Sequence, residues 1–333
     1  MTRDRGPRRP RRRDRSIRAL LGLTALSLTA SGCVVVHGER EVVPTVTRAE
    51  AARALAQFTS SYNKADKAYD SSLDRAVVTG AVGDIDGGRL RAGHVTDPGG
   101  NPAYTPLELT DARFTIPKKA GWPRWFVADA AGNKGGTARW VLVFVRDGLD
   151  ERWQVAFLTL VAPGDLPAIR TDKDGLAEAV PATTAQLAVR PADLSDDYVG
   201  YLKDGRGSFA PGPRTSAWRE LRQKSASRPG LATQYIDEPL TRGDYAPLAL
   251  RTADGGALVF FATHHYEKQT AAQGTTVPAP SANVRALTTG EIKQSLTLEF
   301  VSNQVALDPA KGAAGQGVNV LGRVQGLTGG KGE

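Results

Sequence analysis

The sequence predicts an α+β fold of two tandem units, each a long helix packed on a curved antiparallel sheet. Three observations predict it. One helical stripe opens the folded part of the chain, strands separated by Gly-rich turns follow it, and the same order of helix and strands then recurs. A hydrophobic content of 41% and a charged content of 23% over 333 residues are globular values. The length after the N-terminal segment is long for one unit and comfortable for two.

Residues 1–32 stand apart. Nine arginines lie between Arg3 and Arg18, and the apolar run Ala19–Ala30 follows them. That run is too short to span a bilayer, which takes about 20 residues. A basic start, a short apolar run and small residues at its end mark a secretory signal peptide. In Ala30-Ser31-Gly32-Cys33 the chain's single cysteine directly follows the small residues, which resembles the lipobox of a bacterial lipoprotein signal. The resemblance implies that Cys33 carries lipid, becomes the new N-terminus and holds the protein to the membrane on its extracytoplasmic face. Ala30 departs from the pattern, which has Leu there. Ala-Ser-Gly also suits ordinary signal peptidase, which would leave a secreted free thiol. Arg12-Arg13 suit twin-arginine export, but Arg15 stands where that motif takes a bulky apolar residue.

Removing residues 1–32 takes away nine Arg and two Asp, so the net charge of +8 falls to +1. A nearly neutral mature chain without a Lys/Arg cluster excludes nucleic acid as the expected partner. With one cysteine, no internal disulfide and no thiolate zinc site can form. No cofactor is expected. Residues 33–46 read as a lipidated tether, reaching roughly 45 Å if fully extended. Val42-Val43 in it could add an edge strand.

The first unit is placed at 47–165. Thr47-Arg48-Ala49-Glu50 is a capping box. Ala51, Leu55, Phe58, Tyr62, Ala65, Tyr69, Leu73 and Ala76 then form one stripe, predicting a single long helix ended by Thr79-Gly80. Gly83, Gly87 and Gly88 read as turn residues. Strands are expected at 107–116, at Trp125–Ala128, at Trp140–Val145 and at Trp153–Val161. The third is apolar throughout and so covered on both faces. Pro163, Pro167 and the polar run Arg170–Gly175 mark the join.

The second unit is placed at 180–328. Pro191–Lys203 predicts a helix with Leu194, Tyr198 and Leu202 on one face and Gly205 beyond it, and Ser216–Ser225 a further helical piece. Strands are expected at Thr233–Ile236, Pro247–Leu250, Ala257–Glu267, Ser295–Val305 and Val318–Val324. Ala271–Pro280 reads as a flexible loop.

Cys33-Val34-Val35-Val36-His37-Gly38-Glu39, the long helix leading to Thr79-Gly80-Ala81, and Trp122-Pro123-Arg124-Trp125-Phe126-Val127-Ala128 carry a resemblance to an uncharacterised group of actinobacterial surface lipoproteins with a domain of unknown function. Each half also resembles the NTF2-like or cystatin-like layout, a helix cupped by a curved sheet. Neither resemblance names a chemistry.

Two clusters are candidate sites. Trp122, Arg124 and Trp125 could form a ligand cage through stacked or cation–π contacts, with Tyr266 a further ligand-binding candidate, or could be strand packing. His264-His265-Tyr266-Glu267 is the catalytic-looking cluster. Adjacent strand residues face opposite ways, so His264 and His265 do not chelate one metal, and no metal site is expected. One of them paired with an acid such as Glu267, Asp237 or Glu238 could act as a general base, or be a strand-end histidine. His37 and His94 carry less weight, in tether and loop. Phosphate-cradling, nucleophile-elbow and zinc-helix motifs are missing. The sequence therefore favours a non-catalytic binding or scaffold protein of the cell envelope, with membrane lipid as partner through Cys33 and an envelope protein or small molecule as the ligand. The alternative is an NTF2-like hydrolase or isomerase with a His/carboxylate pair in one sheet-helix cup.

Overall fold

Residues 41–313, 315 and 317–333 are described by a computed structural model. The signal segment and Cys33 lie outside the described residues. Strand β1 (Val43–Pro44) precedes the capping box, where the Thr47 hydroxyl accepts the Glu50 amide at 3.2 Å and starts α1 (Arg48–Ala68). Ala51, Ala54, Leu55, Phe58 and Ala65 form its buried face.

The stripe predicted to run on to Ala76 stops early. Tyr69 adopts a left-handed conformation, φ 51°, and its amide donates to Ala65 O. Asp70 then caps a 3-10 turn, Ser71–Leu73, by accepting the Ser72 amide at 2.9 Å. A capping residue thus competes successfully with an apolar periodicity that had Leu73 still to come, and Leu73 is exposed. Thr79-Gly80 begins a helix instead of ending one. This helix, α2 (Gly80–Thr96), contains Gly83, Gly87 and Gly88, which the sequence placed in turns.

The first meander follows. Strands β2 (Leu109–Thr115), β4 (Arg124–Gly132), β5 (Arg139–Arg146) and β6 (Gln154–Val161) pair antiparallel in that order. Between them β3 (Pro117–Lys119) turns away to join β1 and β7 (Ala177–Glu178) in a small separate sheet. The second half carries the two helical pieces predicted from its sequence, α3 (Leu194–Asp204) and α4 (Ser216–Ser225), both too short for the long helix of the expected layout. Gly205, at φ 82°, closes α3 as a left-handed cap.

The second sheet contains β8 (Ser227–Arg228), β9 (Leu231–Leu240), β10 (Leu248–Arg251), β11 (Ala257–Ala271), β12 (Thr288–Thr289), β13 (Ser295–Asp308) and β14 (Asn319–Gly332), with α5 (Ala282–Leu287) before β12. Its path is β12-β14-β13-β11-β9-β8, and β10 also pairs with β11.

Alternation along the strands builds four layers. Phe126, Leu142, Phe144 and Val155 face α1. Trp125, Val127, Val141, Val143 and Ala156, the neighbours of these residues in sequence, face the other sheet with Phe157 and meet Leu258, Phe260, Val305 and Leu321 there. Val259, Phe261 and Ala306 on the far face pack under Leu194, Tyr198 and Leu202 of α3. The sheets do not hydrogen-bond strand to strand, but they share this middle core. The buried Asn303 side chain also accepts the Leu158 amide across it at 2.8 Å.

Helix α2 packs on β13 and β14 of one sheet and on β6 of the other. Its glycines make the approach possible. A methyl at Gly88 would collide with the Leu327 carbonyl, and one at Gly93 would come within 2.5 Å of the Tyr69 ring. Gly83 has only ordinary contacts, the nearest at 3.7 Å. In a free helix interior Gly→Ala gains about 1 kcal/mol. Gly83→Ala should therefore be neutral or raise stability by up to that amount. Gly88→Ala should lower it by about 1–3 kcal/mol through overpacking. Urea midpoints of the two variants check this; equal effects would contradict the close-packing account.

Candidate functional site

Strand β11 separates its two histidines as the pleat requires. His264 pairs in register with Glu238 and His265 with Asp237. His264, half-buried beside the Tyr266 ring at 4.5 Å, has Nδ1 3.8 Å from the Glu238 carboxylate. Burial raises the Tyr266 phenol pKa, with Glu238 and Glu299 adding to it. Glu267 lies on the opposite face and accepts from Gln269 Nε2 at 2.9 Å, so it is not the acid nearest His264. The acid next to His264 comes from β9.

His265 is buried and stacked on Phe300, rings 4.8 Å apart and 5° from parallel. Its cross-strand acid is already taken: Arg222 of α4 binds Asp237 bidentately at 2.7 and 3.0 Å. Burial pushes the imidazole pKa down to about 2, and the guanidiniums of Arg222 and Arg323 push the same way. Arg222 and Arg323 also lie over Trp218, at 5.0 and 4.5 Å from its ring centroid. This is a polar layer between two apolar clusters on the outer face of the second sheet.

The tryptophan candidates divide in the same way. Trp125 enters the core between the sheets. Trp122 stacks with Arg124 at 4.8 Å and Arg146 at 5.4 Å. Arg146 continues the ladder over Trp153 at 4.6 Å, and Glu50 of α1 accepts from both Arg146 and Trp153 Nε1, at 3.0 and 2.9 Å. Trp122 and Arg124 therefore meet each other, while Tyr266 belongs to the other sheet.

A cavity of about 670 Å³ lies where sequence reasoning placed little weight. It opens between the end of α1, the last turns of α2, α5 and β14. Asp70, Ser71, Arg91 and His94 supply its polar groups, and Val95 and Leu287 belong to its apolar wall. Tyr69 sits at its edge, its ring seated on Gly93. The Ser72 hydroxyl and amide hold the Asp70 carboxyl below its usual pKa, and His94 adds to the effect. Arg91 donates to the Thr328 carbonyl at 3.2 Å. The glycine-rich sequence of α2 gives no helical signal, so His94 has the look of a loop residue until the helix is seen. An Arg and a His three apart at a helix C-terminus would have been the signal.

An adjoining cavity of about 340 Å³ shares Ser71 and Arg91. Asp84 and Asp244 line it, accepting from Tyr245 and Thr79 respectively. The buried Asp74 also lines it, its pKa pushed up to about 8 by burial and then by Asp86. Among the described residues no group of His, Cys, Asp and Glu is placed to hold a metal ion. No described helix is long and apolar enough to cross a membrane.

The chain belongs to the family described as a domain of unknown function, DUF8094, which matches residues 42–332. It is similar to three Streptomyces proteins, each described as an uncharacterized lipoprotein. One from Streptomyces coelicolor is 68% identical over the whole of both chains. One from Streptomyces avermitilis is 61% identical, again over the whole of both. A second from S. coelicolor is 28% identical over 89% of this chain and 90% of that one. No solved structure matches the chain.

The His265 layer has a pH signature. A base whose folded pKa is depressed contributes stability that is complete above its unfolded pKa and is lost as pH falls. The window here runs from 6.5 down to about 2. One proton contributes at most about 1.4 kcal/mol per pH unit. His265→Phe keeps the stack on Phe300 and removes the titration. The difference in unfolding free energy, wild type minus variant, should fall between pH 6 and 4. A constant difference would show that His265 is not held neutral.

Proposed function

We propose that this DUF8094 chain is a lipoprotein held to the membrane through Cys33, on the extracytoplasmic face, and that it serves the cell envelope as a non-catalytic binding or scaffold protein. One observation carries the second part. The side chains with chemistry to offer in the sheets are committed to internal contacts: His265 to Phe300, Asp237 to Arg222, and Trp122 to two arginines. Asp70 and Arg91, which keep hydrogen-bonding capacity, instead line an open cavity, which suits retention of a ligand. The relatives' descriptions as lipoproteins, with the Arg-rich start and the Ala-Ser-Gly-Cys sequence, support the anchor.

The same reading divides the mature chain into two NTF2-like halves, 47–165 and 180–328. The separate ladders of the two sheets, each with a helix on its outer face, support that division. The second functional reading is a hydrolase or isomerase with a His/carboxylate pair. Its support is the His264–Glu238 approach at 3.8 Å.

Cys33→Ala should move the protein from the membrane fraction to the soluble fraction, followed by blotting after cell fractionation. Retention on the membrane would overturn the lipid anchor. Turnover of any candidate compound by the purified wild type, absent from a His264→Gln, His265→Gln double variant of unchanged melting temperature, would decide for the enzyme.

A further inference from the structure

We infer that the cavity at the C-terminal end of α2 is a binding site for a small zwitterionic amino compound with an apolar side chain, of dipeptide size. The inference rests on the binding reading above and names its ligand. Four features of the cavity point to that class. First, its fixed charges are of opposite sign and come from different elements: Asp70 from the end of α1 and Arg91 from α2. A simple anion would meet Asp70 and a simple cation would meet Arg91, whereas a molecule carrying both charges meets a partner for each. Second, both groups keep capacity. The Asp70 carboxylate accepts from the Ser72 amide and hydroxyl, two of about four lone-pair sites, and Arg91 uses one N–H of five on Thr328 O. Ser71 and His94 stand beside them to complete the polar end.

Third, Val95 and Leu287 give the cavity an apolar side, and Val95 is 60% exposed without a ligand, so an apolar side chain placed there would leave water. Fourth, the volume of about 670 Å³ lies within the range of small-molecule sites, and the wall is preformed. Tyr69 is held left-handed, its ring close against Gly93, so little ordering is left for the ligand to bring about. The geometry assigns the ammonium group to Asp70, the carboxylate to Arg91 and His94, and the side chain to Val95 and Leu287.

The full-length lipoprotein in detergent can be titrated calorimetrically with the dipeptide alanyl-leucine, its N-acetyl derivative and its C-terminal amide. Saturable binding of the parent is expected, and each blocked form should bind about fivefold more weakly, the scale of one exposed charge pair. Asp70→Asn keeps the cap on the 3-10 turn, because Asn caps as well as Asp. It should abolish the difference between the free and acetylated forms and leave that between the free and amide forms. Arg91→Gln should do the reverse. Melting temperatures close to wild type will show that both variants fold. Absence of saturable binding by the parent at about 10 mM would overturn the site. So would variants that discriminate as the wild type does. Mass spectrometry of the recovered ligand separates the two readings. Intact dipeptide supports both, whereas cleaved dipeptide supports the site and overturns the non-catalytic role.

Discussion

Close backbone approach along α2 is the constraint on which the rest of the structure depends. The helix carries five glycines in seventeen residues, a composition that opposes helix formation by about 1 kcal/mol for each glycine. It forms because its surroundings repay that cost. Ala81, Val82, Ile85 and Leu90 reach the cores, while Gly88 and Gly93 let the β14 backbone and the Tyr69 ring come closer than any side chain would permit. Seated on β6, β13 and β14 together, the helix ties both sheets into one body. Its last turn then projects Arg91 and His94 into the cavity beside Asp70. Fold and site share this one element, so a change that lifts α2 off β14 alters the cavity too.

The outer face of the second sheet solves a different problem. Apolar clusters lie at both ends of that face, and a polar layer of Asp237, Thr263, His265, Gln304 and Arg323 crosses the four central strands between them. Arg222 of α4 neutralises Asp237, and Gln304 Nε2 donates to Thr263 at 3.0 Å. Pairs of this kind contribute little net stability compared with apolar substitutes, because desolvation offsets most of their attraction. They do penalise alternatives. A one-residue slip of β9 against β11 would carry Asp237 to the other face and leave Arg222 buried without its partner. The layer therefore acts on register more than on total stability, and the neutral His265 is part of that same arrangement.

Periodicity made the main strands of both sheets, α3 and α4 legible in the sequence, because each buries one side of a regular repeat. The apolar strand around Val141 and Val143 lies between two layers, as its composition requires. Three things were hidden. The end of α1 at Tyr69 depends on a left-handed residue and an Asp cap within an unbroken apolar stripe. Helix α2 looks like a string of turns, since its glycines answer to contacts the local sequence does not show, Gly88 to Leu327 and Gly93 to the Tyr69 ring. The four-layer stack comes from strands whose two faces are both apolar, and sequence alone does not say what lies on the second face. Of the candidate residues, the opposite facing of His264 and His265 follows from the pleat. The commitment of Asp237 to Arg222 depends on where α4 lands, and the importance of His94 depends on α2 existing at all.

Hydrogen-bonding capacity connects these observations. A polar side chain can serve the fold or a ligand, and the number of its donors and acceptors limits how far it can do both. Asp237 gives both oxygens to one guanidinium, and Glu50 gives Oε1 to two donors. Arg139 is held by the carboxylates of Asp111 and Asp129 and by two backbone carbonyls. Such groups fix the position of strands and helices and have little left for a visitor. The Asp70 carboxylate accepts only from Ser72 and Arg91 donates to the Thr328 carbonyl, contacts that hold both groups in place without saturating them. Partial satisfaction of this kind is what a binding site requires: enough contacts to fix direction, and enough unused capacity to interact with what arrives. The cavity beside α2 meets that condition on both its charged sides, which the histidine strand and the tryptophan ladder do not.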